Sequence, residues 1–420
     1  MPEFEITRQI EAAVEAVWSV LHKFGDIHEW SGGVTTSNLT SEGPVTEEPT
    51  VSRSASMRGH LVIADISGYT QFLTDSELEH GDGVVADLLN AIVAAMAAPL
   101  AISGIEGDAI FMYGELSHEM SGQTVLESVE LMYCAFKAAL DTMVQNTTCQ
   151  CNACVNISGL GLKIVMHCGE YSKQTIGGMT TLSGPDVIAV HRLLKNRIVE
   201  ETGIADYFLV TDQCVSDLGV EKLVASWTPH TEEYEHIGVV AGYVSSLLDV
   251  WEYQKMQTEV KVRPEEAWST LRAQTVAPPA TVWDQIFDPL KRTEWIIVAE
   301  SMETKEHLDG RVVPGTEFHC AHGGGVAVFT VLDMRPFTYG TVMVEFAEGS
   351  LVKYTYYLIP SGSGTRIVLQ AAAPMASDGE PMPELSSADY LKAWEDMMEP
   401  NLASLTAITD ELALAFAPAG

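Results

Sequence analysis

The side chains able to do chemistry fall into three groups. Asp65 follows the apolar run 61–64 and precedes the turn-forming pair Ser67-Gly68; Asp108 follows Gly107 and precedes the apolar run 109–113. A carboxylate at the end of an apolar strand has to be paired, hydrogen-bonded or bound to a cation. If the two strands are neighbours, Asp65 and Asp108 can share one divalent ion. The alternative is that both are turn residues capping backbone amides. Cys149, Cys151 and Cys154 place three thiols in one C-x-C-x-x-C run. That donor set suits Zn²⁺ or another soft metal once a fourth ligand joins, and His167 and Cys168 on the next strand are candidates. A reduced, exposed loop and a redox switch are the other readings of these thiols. His319, Cys320 and His322 form the third group. Strand alternation sends His319 and Cys320 to opposite faces, so pocket-lining or surface roles are expected there rather than a metal site.

The elements that must position these residues can be read from periodicity. A helix is expected over 78–98, with Val84, Val85, Leu88, Leu89, Ile92, Val93 and Met96 on its apolar face and Pro99 ending it. Short strands over 100–102 and 109–113 flank the Asp108 turn. A second helix over 125–144, a strand over 160–168, a turn from Gly169, a helix over 185–195, a strand over 207–210 and a closing strand region over 236–248 follow. Such alternation points to an α+β sheet. From about Lys255 the pattern changes. A strand over 270–274 and a helix over 280–287 lead into short alternating strands at 312–319, 325–334, 341–346, 352–358 and 366–372. A long amphipathic helix over 388–415 closes the chain, with Trp394, Met397 and Met398 expected in a core or a cavity wall.

An echo links the two ends. Residues 14–30 parallel 279–295, with Val17-Trp18 on Val282-Trp283 and Glu29-Trp30 on Glu294-Trp295. This suggests two copies of one opening unit, strand then helix. The first copy, 1–34, stops early, because 35–56 is rich in Ser, Thr, Glu and Pro and reads as a linker. The domains expected after it are 57–250 and 255–420.

Composition narrows the partners. The chain has 58 acidic and 23 basic residues, a formal net charge of −35, which argues against nucleic acid and against anionic membrane surfaces. No basic, apolar leader opens it, and no run reads as a membrane span. Seven cysteines, an odd number with three crowded together, do not form a secreted disulfide framework, so a cytoplasmic setting is expected.

Asp65-Ile66-Ser67-Gly68-Tyr69-Thr70 and Gly107-Asp108-Ala109 resemble the two metal-binding motifs of class III nucleotide cyclases, over about residues 57–247. The likeness is closer to an uncharacterised bacterial subfamily sharing the ADISGYT start, the EGDA turn, the Cys cluster and VHRLLKN. The resemblance implies a ferredoxin-like core, a homodimer, and Mg²⁺ or Mn²⁺ on Asp65, Asp108 and the Ile66 carbonyl. It places Arg192 at the transition-state arginine and Thr181 at a base-selecting position. It also shows gaps. Ile188 stands where a ribose-orienting Asn is usual, Gly104 where a purine-selecting Lys is usual, and the 236–244 segment has no phosphate-binding Lys. The metal half is kept and much of the substrate half replaced; His191, Lys195 and Asn196 lie on the same helix as possible substitutes.

The element order over 262–416, opened by VAPPATVWDQIFDP, resembles the START-like or polyketide cyclase-like (SRPBCC) helix-grip fold. That family wraps a sheet around the last helix and holds hydrophobic ligands in the cavity between them. The reading is therefore a regulatory or ligand-binding protein: a degenerate cyclase-like domain, a site for metal and a candidate site for nucleotide, fused to a domain binding a hydrophobic small molecule. The alternative is an active nucleotide cyclase with a rebuilt base pocket, gated by the second domain. A third class, an enzyme acting on polyketides in that cavity, needs an acid/base pair that the sequence does not locate.

Overall fold

Strand β1 (Ser56–Ser67) is the axis of the first sheet. Its neighbours are β3 (Ala109–Glu115) on one side and β4 (Gly161–Ile176) on the other, both antiparallel. Val62, Ala64 and Ile66 enter the core on one face, and Leu61 and Ile63 enter a second core on the other. Burial on both faces explains the unbroken apolar run, which a one-sided strand would not need. The computed structural model describes residues 56–75, 78–116, 120–146, 156–176, 179–305, 310–323, 325–346, 349–362 and 364–415. The expected opening unit at 1–34, nearly all of the 35–56 linker, and Cys149, Cys151 and Cys154 lie outside the described residues.

After β1 come α1 (Tyr69–Asp75), α2 (Leu78–Ala95), β2 (Ala101–Glu106), β3 (Ala109–Glu115), α3 (Gly122–Asn146), β4 (Gly161–Ile176), β5 (Met179–Ser183), α4 (Pro185–Leu193), α5 (Ile198–Thr202), β6 (Tyr207–Thr211), α6 (Asp212–Leu218), β7 (Thr228–Tyr234), β8 (Gly238–Ser246) and α7 (Leu247–Met256). The sheet order is β2-β3-β1-β4-β6-β8-β7, with β5 paired to β4. Helices α2 and α3 pack on the face of Val62 and Ala64; Val187, Val190 and Leu193 of α4 pack on the face of Leu61 and Ile63.

The second sheet, order β10-β11-β12-β13-β14-β15-β9, is antiparallel throughout. It is built from β9 (Ser269–Thr275), then α8 (Pro279–Phe287) and α9 (Arg292–Trp295), then β10 (Ser301–Lys305), β11 (Glu317–His322), β12 (Gly325–Arg335), β13 (Tyr339–Glu345), β14 (Leu351–Ser361) and β15 (Gly364–Ala371). Helix α10 (Ala388–Ala415) lies against it, burying Trp394, Met398, Leu402 and Leu405 with Trp283, Trp295, Phe318 and Tyr356. This is the helix-grip arrangement, and with the first sheet it gives the expected α+β class.

Residues 54–420 form one unit, so the two sheets meet at a defined junction. Helix α3 faces α8 there. The Trp283 indole N–H donates to Glu127 Oε2 at 2.9 Å, and the Thr124 hydroxyl donates to Asp284 Oδ1 at 2.7 Å. Gln123 makes two bonds with the Val312 backbone, donating to its carbonyl at 2.9 Å and accepting from its N–H at 2.8 Å. Arg311 reaches Glu130 Oε1 at 2.7 Å.

Several segments differ from the periodicity reading. The turn and return expected over 169–178 comes at the end of that span: β4 continues to Ile176, its first half paired with β1 and its second half with the returning strand β5. Strand β7 and helix α6 were not anticipated. The 236–248 region divides into β8 and the start of α7, where the Ser246 hydroxyl accepts from the Asp249 N–H at 3.2 Å and caps the helix. Strand β10, with alternating charged and apolar residues at the sheet edge, was also missed. Among the described residues no helix is long and apolar enough to cross a membrane.

Gly59 shows how tightly β1 is held. It sits opposite Glu115 and Gly169, and a Cβ there would meet the Gly114 carbonyl oxygen. That neighbour is backbone, so relief requires moving a strand. Gly59→Ala is expected to lower the unfolding free energy by about 1–3 kcal/mol. Urea unfolding with an unchanged slope would show it, and a loss within error of zero would contradict the register.

Candidate functional site

The β1–β3 register sets Asp65 opposite Ala109, beside Asp108 at the β2–β3 turn. The Ile66 N–H donates to the Asp108 carbonyl at 3.1 Å and ties the turn to the strand. Burial first, and then the charge of Asp65, hold the Asp108 carboxyl above its ordinary value. The two carboxylates are therefore close enough to repel. Lys163, directly across on β4, brings its Nζ to 2.8 Å from Asp65 Oδ2. Lys163 was not singled out from sequence, and no local signal identifies it: only the β1–β4 register puts it there. The Ile66 side chain is buried in the core, so any ligand atom it offers is its backbone carbonyl.

Two carboxylates against one ammonium leave one negative charge in excess. That donor set fits a hard divalent cation, with oxygen ligands from Asp65 and Asp108. Lys163 is its built-in competitor for Asp65.

The other residues singled out by sequence are spread along the sheet. Thr181 on β5 pairs with Gln174 in the second half of β4, and the next residue, Leu182, is buried in one cluster with Leu61, Ile63 and Ala109. Arg192 is exposed at the end of α4. Its neighbour His191 packs edge-on against Phe111 at 4.9 Å and lies 3.8 Å from Glu106. Asn196 is fully used as a turn residue: its amide donates to the Leu193 carbonyl and the Tyr207 hydroxyl, both at 2.7 Å, and its Oδ1 accepts from the Ile198 N–H. Ile188 is 56% exposed, and Gly104 sits on edge strand β2 beside a register shift.

Of the two candidates for a fourth zinc ligand, His167 and Cys168, the second is engaged elsewhere. Cys168 is disulfide-bonded to Cys214, with the Cα atoms 4.6 Å apart. His167 Nδ1 is 2.9 Å from the Thr211 hydroxyl, and its Nε2 is 3.3 Å from Asp186 Oδ1. Burial inside the sheet packing, which strand alternation alone could not specify, gives each a partner. His60, opposite Cys168 on β1, places Nδ1 at 3.2 Å from its sulfur. Burial pushes the His60 imidazole down to about 4, so it is neutral at neutral pH.

In the second sheet a cavity of about 270 Å³ lies between the concave sheet face and α10. Its wall includes Trp295, Phe329, Phe346, Tyr356, Trp394 and Met398. Met397 also borders it, in line with the expected cavity role for that helix. His322 borders it too, with Nδ1 3.1 Å from the Val298 carbonyl oxygen. Cys320 is buried, while His319 is half-buried and paired with Glu317 at 3.1 Å, as alternation requires. The sequence reading missed Arg292, which also lines the cavity and is fully buried.

Residues 85–202 match a family described as a protein of unknown function (DUF2652), and residues 1–67 match the polyketide cyclase / dehydrase and lipid transport family. The uncharacterized protein Rv2561/Rv2562 of Mycobacterium tuberculosis (strain ATCC 25618 / H37Rv) is 32% identical over 157 residues, 37% of this chain and 69% of that protein. The chain belongs to the family of that mycobacterial protein. The DUF2652 match spans Asp108, Lys163, Thr181 and Arg192, and the 1–67 match ends two residues beyond Asp65. Among solved structures, the chain is similar to a bacterial light-regulated adenylyl cyclase, at 12% identity over 48% of this chain and 98% of that one, with a TM-score of 0.34. It is similar to the adenylyl cyclase CyaB from P. aeruginosa, at 15% identity over 46% and 96%, TM-score 0.33. It is also similar to CalU16 from Micromonospora echinospora, at 22% identity over 35% and 84%, TM-score 0.24.

Proposed function

We propose that the chain is a regulatory, ligand-binding protein in which a hydrophobic small molecule in the C-terminal cavity acts on a degenerate cyclase-like sheet. The observation that carries this reading is the junction. Helix α8, from the cavity's domain, is bonded through Trp283 and Asp284 to Glu127 and Thr124 of α3, the helix that covers the first sheet. A shift of α8 on ligand binding therefore moves side chains buried against the first sheet. In this proposal Asp65 and Asp108 hold Mg²⁺ or Mn²⁺, and a nucleotide is the partner ligand. Zn²⁺ on Cys149, Cys151 and Cys154 belongs to the proposal on sequence grounds alone.

A homodimer fits the same reading. In it Asp65 and Asp108 of one copy face Arg192 of the other. Ile102, Ile105 and Ile188 give that partner an exposed apolar surface. The setting proposed is cytoplasmic, on the odd cysteine count; among the described residues Cys168–Cys214 is the one disulfide.

The second reading, an active nucleotide cyclase, is favoured by the convergence of Asp65 and Asp108. Against it stand Ile188 and Gly104, which cannot donate hydrogen bonds from their side chains. Loss of one transition-state donor costs on the order of a hundredfold or more in rate. Calorimetric titration of the full chain with ATP and GTP, with Mn²⁺ present, separates the two when the same mixture is assayed for cyclic nucleotide. Binding that disappears in Asp65→Ala, tightens in Lys163→Ala and yields no product is the expected result. Product formation dependent on Asp65 and Arg192 would select the second reading. Absence of binding would remove the nucleotide from the proposal and leave the cavity as the functional site.

A further inference from the structure

We propose that the C-terminal cavity takes a compact apolar molecule carrying one carboxylate, with Arg292 as its counter-charge. The inference rests on the reading of that cavity as a ligand site, and adds the chemical class of the ligand.

Arg292 opens α9 and has no exposed surface. Its Nη1 donates to the Ile286 carbonyl at 2.7 Å, while Nε and Nη2 have no acceptor. Among the described residues no carboxylate pairs with it. A guanidinium cannot shed its proton to escape burial, so this is a permanent charge inside an apolar wall. The faces of Phe318, Phe329 and Trp295 lie 4.9, 5.1 and 5.7 Å from its central carbon and stabilise it in part. They do not satisfy N–H donors. Tyr354 and Tyr356 supply no negative charge either: burial raises both hydroxyls above the ordinary value, although the guanidinium, which also hydrogen-bonds Tyr354, pulls the other way.

A second buried donor, the Trp394 indole N–H, also lines the cavity and lacks an acceptor. Unmet buried donors are uncommon and costly. Here they border empty space, which a ligand's acceptor atoms would fill. The planar fork of a guanidinium matches a carboxylate bidentately. Because the rest of the wall is aromatic and aliphatic, the ligand has a single anionic head on an apolar body. About 270 Å³ falls just under the ~300–1,000 Å³ of drug-sized sites, which favours an aromatic or medium-chain acid over a sterol. Nor is the arginine a fixed part of the opening unit: the 14–30 parallel puts Ile27 opposite Arg292.

The test uses matched probes on the full chain at pH 7.5, read by tryptophan fluorescence and calorimetry: decanoate against 1-decanol, and 2-naphthoate against 2-naphthalenemethanol. In at least one pair the acid is expected to bind about tenfold or more tighter than the alcohol. Arg292→Met should abolish that preference by weakening the acid alone. A second measurement needs no variant: the carboxyl carbon of ¹³C-labelled decanoate should titrate at lower pH when bound than when free. Equal affinities for acid and alcohol, a preference that survives Arg292→Met, or a bound carboxyl titrating at or above the free acid would overturn the carboxylate inference and spare the cavity. Failure of all four probes to bind would overturn the cavity reading with it.

Discussion

Trp283→Ala is expected to lower the unfolding free energy by about 3–5 kcal/mol, the range for truncating a large buried aromatic. Trp283 is 1% exposed, its ring centroid lies 4.2 Å from that of Phe287, and Phe337 meets it edge-on at 6.1 Å. Gly340 leaves room for the Phe287 ring, where a Cβ would collide with it. The aromatic cluster thus has no slack with which to refill a hole. Truncation also removes the N–H that bonds Glu127, leaving a buried carboxyl oxygen without that donor. Trp283→Phe keeps most of the packing and loses the bond, so its cost should be about 1–3 kcal/mol. Urea unfolding followed by near-ultraviolet dichroism would measure both. A loss below about 1 kcal/mol for the alanine variant would mean the indole does not hold the two sheets together.

The same junction should make stability depend on pH. Burial pushes the Glu127 carboxyl up to about 7, against an ordinary 4.5; the hydrogen bonds from Gln123 and Trp283 and the charge of Arg311 offset only part of this. Below about 4.5 the folded and unfolded chains both carry the proton, and its contribution is complete. Between 4.5 and 7 the unfolded chain gives up its proton first, so the folded state loses stability as pH rises. Above 7 both are ionised and the loss levels off, on the order of 3 kcal/mol at ~1.36 kcal/mol per unit. His60 works in the opposite direction. Its folded imidazole titrates near 4 against an ordinary 6.5, so the unfolded chain binds the proton first and stability falls as pH drops through that window. The raw profile is therefore a dome, and the difference between wild type and Glu127→Gln isolates the carboxyl. That difference should favour the variant progressively from pH 5 to pH 8. A difference constant across this range would mean Glu127 is already solvated in the folded chain.

Much of the architecture could be read in the chain itself, because it rests on local chemistry. Helix α10 has the bounds its amphipathic run predicts, 388–415, since its 3.6-residue apolar spacing persists until it ends. The runs 61–64 and 109–113 read as strands because β-branched and aromatic residues are crowded between turn signals. Asp65 and Asp108 could be paired on paper because each stands at such a strand's end. Helix α7, capped by Ser246, was hidden because its ten residues, LLDVWEYQKM, mix apolar and polar side chains with little periodicity and continue an apolar strand.

Only the tertiary structure decided the rest, and the reason is range. Lys163 sits on Asp65 because β1 and β4 pair in one register; a one-residue slip would send it to the other face. Cys168 looks like a free ligand in the sequence and becomes a disulfide partner of Cys214 once β4 and α6 approach. Arg292 reads as an exposed charge, as arginines usually are. It is instead enclosed by strands β11, β12 and β14, which follow it by 25 residues or more in the chain. Glu127 reads as a solvated helix position until α8 covers it. Spacing along the chain sets which residues share a strand or helix face. Which polar groups lose water, and what they then face, is set by pairings between distant segments.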